Sequence, residues 1–389
     1  MGWRGVLCRP RSWSVWGCVV ILLEHGPGRA ALFDGARSVH TARSLAEVAP
    51  ALAELDAARQ AGLWVAGWLA YEAGLAFEPR LAELAPPEGR VLVQFATYDR
   101  PQPFPALPAA PVRLGPLRPM VSRAAYGAAF DRVQAYIAAG DCYQVNLTFP
   151  LETRLKTGTA LDLYAALRAR QTVGHGAYVD LGGPVLVSRS PELFLRLDAG
   201  GRIETRPMKG TAPRGQDPVE DAELAEALRQ SVKDRAENLM IVDLLRNDIS
   251  RISRVGSVRV PELFHVETYA TVHQMVSRVT AQLTGPATLS GVMRALFPCG
   301  SITGAPKIRA MQIIHEIETG PRGAYCGAIG WMAPDGAACF NVAIRTLTIT
   351  GTDVTLNVGG GITQGSTANG EWEEALWKAR YLSGLTTPA

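Results

Sequence analysis

The sequence predicts an α+β fold in which large, mainly antiparallel sheets are covered by helices. Two observations carry this. Strand-like runs outnumber helical ones along the 389 residues, and they do not alternate strictly with helices as a parallel βαβ sheet requires. A content of 47% hydrophobic and 19% charged residues provides for a sizeable core and carries no disorder signature.

The chain opens on MGWRGVLCRPRSWSVWGCVVILL, basic residues before an apolar run, superficially like a secretory leader. No small-residue cleavage site follows cleanly, and Val19 to Leu23 also reads as a buried first strand. Residues 1–18 are therefore taken as an N-terminal extension, and a start assigned too early would equally account for them. Residues 19–100 form a strand-rich part (VVILLE, RAALFD, LWVAGWLAY, VLVQFATY) with an Ala/Leu/Glu-rich helix near 44 to 60. The segment 101–120 holds seven prolines; it cannot be helical and reads as an extended surface connector. RAAYGAAFDRVQAYIAAGD follows as an amphipathic helix with Phe130, Val133 and Ile137 on one face. Beyond it come further strands (YQVNLTF, AYVDL, PVLVSR, LFLRL, IETRP, AYCGAIGWM, ACFNVAIRTLTI, DVTLNVGGG) and three or four helices.

Composition excludes several function classes. A balance of 39 basic to 36 acidic residues, net +3, is too weak for a nucleic-acid surface. No segment besides the first approaches the roughly 18 apolar residues that span a bilayer, so no membrane role is expected. The six cysteines, at 8, 18, 142, 299, 326 and 339, form no CxxC and no Cys/His cluster, which fits a reducing cytoplasm rather than a disulfide or zinc framework.

Four stretches carry chemistry. In DRAENLMIVDLLRNDISRI, Met240, Ile241, Leu244, Leu245, Ile249 and Ile252 make an apolar stripe that Glu237 extends. A core-facing carboxylate needs a cation or a metal, and a core ion pair with Arg235 or Lys233 would satisfy it as well. In NGEWEEALWKARYL, Glu371, Glu374 and Lys378 share a face opposite Trp372, Ala375, Leu376, Ala379 and Leu382. That pattern fits a surface salt-bridge ladder. It also fits a site for a multiply charged ligand with Mg²⁺, because LNVGGGITQGST before it runs a strand into three glycines whose loop would expose N–H groups. FPCGSITGAPKIRAMQIIHEIE opens a helix on Gly, Ser, Thr and Lys, an anion cradle without the spacing of a Walker loop. Arg345, expected inside the strand FNVAIRTL, requires an anionic partner, either a structural one or a ligand. Finally, TRPMKGTAPRG (205–215) sets Lys209 in a tight, weakly charged setting.

The ordered series YQVNLT, SRSPELFLR, TRPMKGT, AENLMIVDLLRND, GSITGAPKIRA, GAYCGAIG, NVAIRT and GGGIT followed by EWEEALWKA resembles the chorismate-binding family. The resemblance covers roughly residues 120 to 386, making 121–386 the catalytic region, and implies an α/β sandwich of two large sheets. It implies further that Glu237 and Glu374 hold a Mg²⁺ ion bridging to the ring carboxylate of chorismate. Tyr325, Arg345, Lys378 and the backbone at Gly360 and Gly361 correspond to the anchors of the side-chain carboxylate. Thr303 and Gly304 correspond to contacts near the ring carboxylate, and Thr211, beside Lys209, is counted with the substrate contacts. Glu192 of SPELF corresponds to the general acid/base.

Two positions discriminate within the family. Members that add water carry a lysine where this chain has Gln144, and a neutral amide cannot deprotonate water, so ammonia is the expected nucleophile. Lys209 resembles the lysine of aminodeoxychorismate synthases, which attacks C2 of chorismate before ammonia adds at C4; anthranilate synthases usually carry alanine there. One position departs: Gln274 stands where relatives often have a histidine, with His273 just before it. With no G-x-C-x-G elbow, ammonia is expected from a separate glutamine amidotransferase subunit. A downstream lyase would convert the product to 4-aminobenzoate for folate synthesis. The competing expectations are an anthranilate synthase component and a catalytically silent chorismate- or tryptophan-binding protein.

Overall fold

The computed structural model describes residues 19–107, 109–269 and 272–387; the N-terminal extension, residues 1–18, lies outside them. Among the described residues two sheets, of 11 and 10 strands, carry antiparallel pairing throughout. The spine of the first is the hairpin-like pair Gln144–Thr157 and Asp353–Ile362, in register from Arg154↔Asp353 to Val145↔Ile362. From there the sheet runs through Thr346–Thr350, Val185–Ser190 and His175–Asp180 to the N-terminal Val20–Leu23 and Ala31–Phe33. In the second sheet Val272–Gln282 carries Arg202–Thr205 and Met208–Pro213 successively along its length. The order continues through Leu193–Leu197, Ala338–Val342, Ala328–Met332, Trp64–Leu69 and Val93–Tyr98 to Ser38–Ala42.

The sheets face each other because their strands are apolar on the inner side. Phe33 of the first sheet packs on Trp64 and Tyr98 of the second, with ring centroids 6.4 and 5.3 Å apart, and Trp331 Nε1 donates to His25 O at 2.7 Å. One continuous core takes in residues from Val20 to Leu385, so the N-terminal strands share it with the rest of the chain. Within the proline-rich stretch, three two-residue strands, Gln102–Pro103, Arg113–Leu114 and Arg118–Pro119, attach to sheet edges. That is where a residue without an N–H is tolerated, and Val112 and Leu114 are buried.

Two local expectations change, and one strand was not anticipated. The run ACFNVAIRTLTI is two strands, Ala338–Val342 in one sheet and Thr346–Thr350 in the other; Arg345 lies in the crossing, at φ 49°. The glycines 359–361, expected both as the end of the strand DVTLNVGGG and as an N–H-exposing loop, belong to the strand: they pair in turn with Thr148, Leu147 and Asn146 inside the first sheet, close-packed because a Cβ on Gly359 would come within 2.2 Å of Leu147 O. The polar alternation SVHTA, unremarkable in the sequence, is the edge strand Ser38–Ala42.

Candidate active site

The chain passes from one sheet to the other twice at one place. Val185–Ser190 of the first sheet leads through Pro191 and Glu192 into Leu193–Leu197 of the second, and Val342 returns through Ala343, Ile344 and Arg345 to Thr346. The two crossings are joined: Ser190 Oγ donates to Val342 O at 2.6 Å and Val342 N donates to Glu192 O at 3.1 Å. Out of register with either ladder, both crossings aim their side chains into a cavity of about 650 Å³.

The cavity wall brings together Glu192 and Arg345 from the crossings, Lys209 and Thr211 from Met208–Pro213, and Glu237 from the helix Val232–Ser250. Tyr325, Gly360, Gly361, and Glu374 with Lys378 from the last helix complete it. Three sequence-expected residues lie behind the wall. Thr303 is fully buried and donates its hydroxyl to Cys299 O and Gly300 O, while Gly304 pairs with Val145. Gln144 is also fully buried, and neither polar atom of its amide has a partner. It meets Lys209 over Gly361, where a Cβ would come within 2.8 Å of Gln144 Nε2 and 3.2 Å of Lys209 Nζ.

The electrostatics divide the cavity. Burial pushes the Glu192 carboxyl up to about 7, against the pull of the Ser301 hydroxyl, which donates to Oε1 at 2.7 Å, and of the Lys209 charge. Lys209 keeps partial access to solvent, yet the surrounding protein lowers its affinity for a proton, opposed by Glu192 and Glu237. Arg345 is likewise pushed down by burial, relieved only by Tyr381; its guanidinium makes no ion pair among the described residues, so the cavity holds a cation awaiting an anion.

The same lining carries an acidic cluster. Glu237 is raised by burial and accepts from Thr363 Oγ1 at 3.3 Å, with Lys233 Nζ 4.0 Å away. Burial also pushes Glu374 upward, but Lys378 at 2.9 Å outweighs it and leaves the carboxyl below its usual value. Lys378 donates as well to Gly359 O at 2.8 Å. Glu371, raised by burial, accepts from Ser366 Oγ at 2.6 Å. Among the described residues no group of three or more His, Cys, Asp or Glu could hold a metal ion. An oxygen-only set of one or two carboxylates nonetheless suits a hard divalent ion that completes its shell with ligand oxygens and water.

Sequence reasoning missed Ser301, Asp234, Trp377 and the wall position of Gln274. Ser301 was visible only as part of GSITG; its partner Glu192 is 109 residues away.

Residues 23–384 match the family model described as chorismate binding enzyme. The chain belongs to that family. Relatives within it include an aminodeoxychorismate synthase of Streptomyces griseus, 46% identical over 289 residues, covering 74% of this chain and 40% of the relative. Aminodeoxychorismate synthase component 1 of Escherichia coli is 45% identical over 262 residues, 67% of this chain and 57% of the relative. Anthranilate synthase component 1 of Thermus thermophilus is 44% identical over 261 residues, 67% and 56%. The matched region thus spans about half the length of the curated relatives. The structure of anthranilate synthase component I from Streptococcus pneumoniae superposes with a TM-score of 0.74 at 23% identity, over 97% of this chain and 94% of that one; the family fold extends through the N-terminal strands. The identities to relatives of the two names, 46, 45 and 44%, are nearly equal. No described helix is long and apolar enough to cross a membrane.

Proposed function

We propose that this chain aminates chorismate at C4, the reaction of an aminodeoxychorismate synthase component I. The observation that carries this reading is Lys209: a lysine with depressed proton affinity, aimed into a cavity opposite a carboxyl that stays partly protonated at neutral pH. Such a pair supplies a neutral amine and a proton donor together.

Arg345 and Tyr325 bind the side-chain carboxylate, and Glu237 and Glu374 are the residues that would hold Mg²⁺ against the ring carboxylate. When bound, the ion neutralises that carboxylate and draws electron density from the ring. The Lys209 Nζ lone pair forms a bond to C2. The two ring double bonds shift, the C4–O bond breaks, and the hydroxyl leaves as water with the proton of Glu192. Nζ then gives up its extra proton to the Glu192 carboxylate. Ammonia bonds to C4, the double bonds return, and the C2–Nζ bond breaks as proton transfer regenerates the amine. The neutral Gln144 amide offers no base for water, which favours ammonia at this step. A separate glutaminase supplies the ammonia in this reading, as the component 1 naming of the Escherichia coli relative suggests. A further lyase would release pyruvate to give 4-aminobenzoate for folate synthesis in the cytoplasm.

The test incubates the purified chain with chorismate, Mg²⁺ and ammonium at mildly alkaline pH beside a Lys209→Ala variant. The expected product is 4-amino-4-deoxychorismate, passing to 4-aminobenzoate only when a lyase is added and absent with the variant. Anthranilate as product would replace this reading with that of the Thermus thermophilus relative.

A further inference from the structure

The strand that presents Lys209 is irregular at that residue. Met208 pairs with Val276 and Thr211 with Gln274, so Lys209 and Gly210 together stand opposite Met275 alone. This is a β-bulge, a device that re-aims one side chain and leaves part of the ladder unpaired. Gly210 takes φ +87°, and a Cβ there would lie 2.8 Å from Asp234 Cβ, so only glycine fits the turn of the bulge.

The unpaired carbonyl of Gly210 is met by a side chain. Gln274 Nε2 donates to Gly210 O at 2.7 Å, and Thr211 Oγ1 donates to Gln274 Oε1 at 2.9 Å. One amide therefore ties the Gly210 carbonyl to the Thr211 hydroxyl at the bulge. His273 cannot share this work. Strand alternation turns it to the other face, where it is 1% exposed, with Nε2 2.8 Å from Asp221 Oδ1 and Nδ1 3.0 Å from Thr268 Oγ1. Asp221 is in turn held by Arg214 at 2.7 Å. Gln274, by contrast, lines the cavity.

We propose that Gln274 is a positioning residue: its side-chain amide replaces the ladder hydrogen bonds missing at the bulge and thereby fixes the direction in which Lys209 enters the cavity. A hydrogen bond to a neighbouring carbonyl, rather than proton transfer to substrate, is the task of this position in this chain. The effect on turnover rests on Lys209 being the nucleophile; the effect on Lys209 itself does not.

The experiment separates the two. Gln274→Met, of equal length without hydrogen bonds, and Gln274→Asn, polar but too short to reach Gly210 O, are compared with the unmodified chain. So is Thr211→Val. Labelling of Lys209 by trinitrobenzenesulfonate is quantified by peptide mass spectrometry across pH, alongside kcat, KM and the melting temperature. Released from the bulge geometry, Lys209 in both Gln274 variants should titrate about one pH unit higher, towards an ordinary lysine. In the same variants kcat should fall about ten-fold with KM within about two-fold. Thr211→Val should lose part of the effect and add nothing in combination with Gln274→Met, as expected of groups in one network. An unchanged labelling profile in both Gln274 variants overturns the proposal. Lys209→Ala that still forms product overturns the nucleophile reading instead and leaves the labelling comparison standing.

Discussion

Burial acts on Glu192 and Lys209 in opposite chemical senses and towards the same end. It favours the proton on a carboxyl that would ordinarily lose it and disfavours the proton on an amine that would ordinarily hold it. The two groups face one cavity, and the charge of each favours the ionised form of the other. The reactive form needs the acid protonated and the amine neutral. At low pH the rate rises as Lys209 deprotonates, and above the carboxyl's value that gain is offset by loss of the Glu192 proton. The pH profile of kcat/KM should therefore break near 7 and fall again above the lysine value. In Glu192→Gln the break near 7 should vanish, leaving a single rise, with the rate lower by about 10²–10⁴-fold, the usual worth of a general acid. A break near 7 that survives in this variant would assign the acid to another group. Glu192 was legible as a residue of SPELF; its tuning was not, because the burial comes from strands distant in sequence.

At the scale of elements, the sites where the ladders fail are the informative ones. A period-two reading locates Met208–Pro213 only roughly, since MKGTAP is short and weakly apolar, and it cannot show that one residue is surplus. Arg345 was placed inside a strand because FNVAIRTL is uninterrupted in hydropathy, and arginine gives no hint of a left-handed backbone, which is uncommon outside glycine. Three glycines in a row leave strand and loop undecided, because residues without side chains show no alternation to detect. By contrast, the apolar stripe of Val232–Ser250 and the shared face of Glu371, Glu374 and Lys378 were readable, because helical spacing is a local property. The bulge gives an element-scale prediction. Gly210→Ala meets both an unfavourable φ and the Asp234 side chain and should cost about 1–3 kcal/mol of stability, the usual scale of such strain. Activity should fall further than stability implies. A denaturant midpoint equal to that of the unmodified chain would show that the bulge relaxes freely.

On the scale of the whole molecule, the two sheets enclose His25 and His175, whose rings lie 5.4 Å apart. Burial depresses both, His25 to about 4 and His175 to about 3. The unfolded chain binds these protons near 6.5, the folded chain only well below. Their contribution to stability is therefore complete above about pH 6.5 and is lost as pH falls from there towards 4 and then 3, by about 1.4 kcal/mol per pH unit for each imidazole. Urea midpoints measured from pH 7 to 4 should fall accordingly, and His175→Asn should flatten that slope by about one proton. An acid limb of unchanged steepness would place the proton uptake elsewhere. That the N-terminal strands close this core was only partly legible, since their motif resemblance is loose and the pairing of Val20–Leu23 with His175–Asp180 joins residues far apart in the chain.

The bonds tying the two sheet crossings together give the cavity one jaw held largely by the main chain. Val342 N donates to Glu192 O and Arg189 N to Arg345 O, with the Ser190 hydroxyl adding a side-chain tie, so few substitutions reach the spacing of the proton donor and the anion anchor. Lys209 sits on the opposite jaw, on an irregular strand held by side chains, and that jaw can drift by point mutation. Selection for a different nucleophile or a different ring carbon would find its variation there, on the Lys209 side, while the crossings pass unchanged from one reaction to the next.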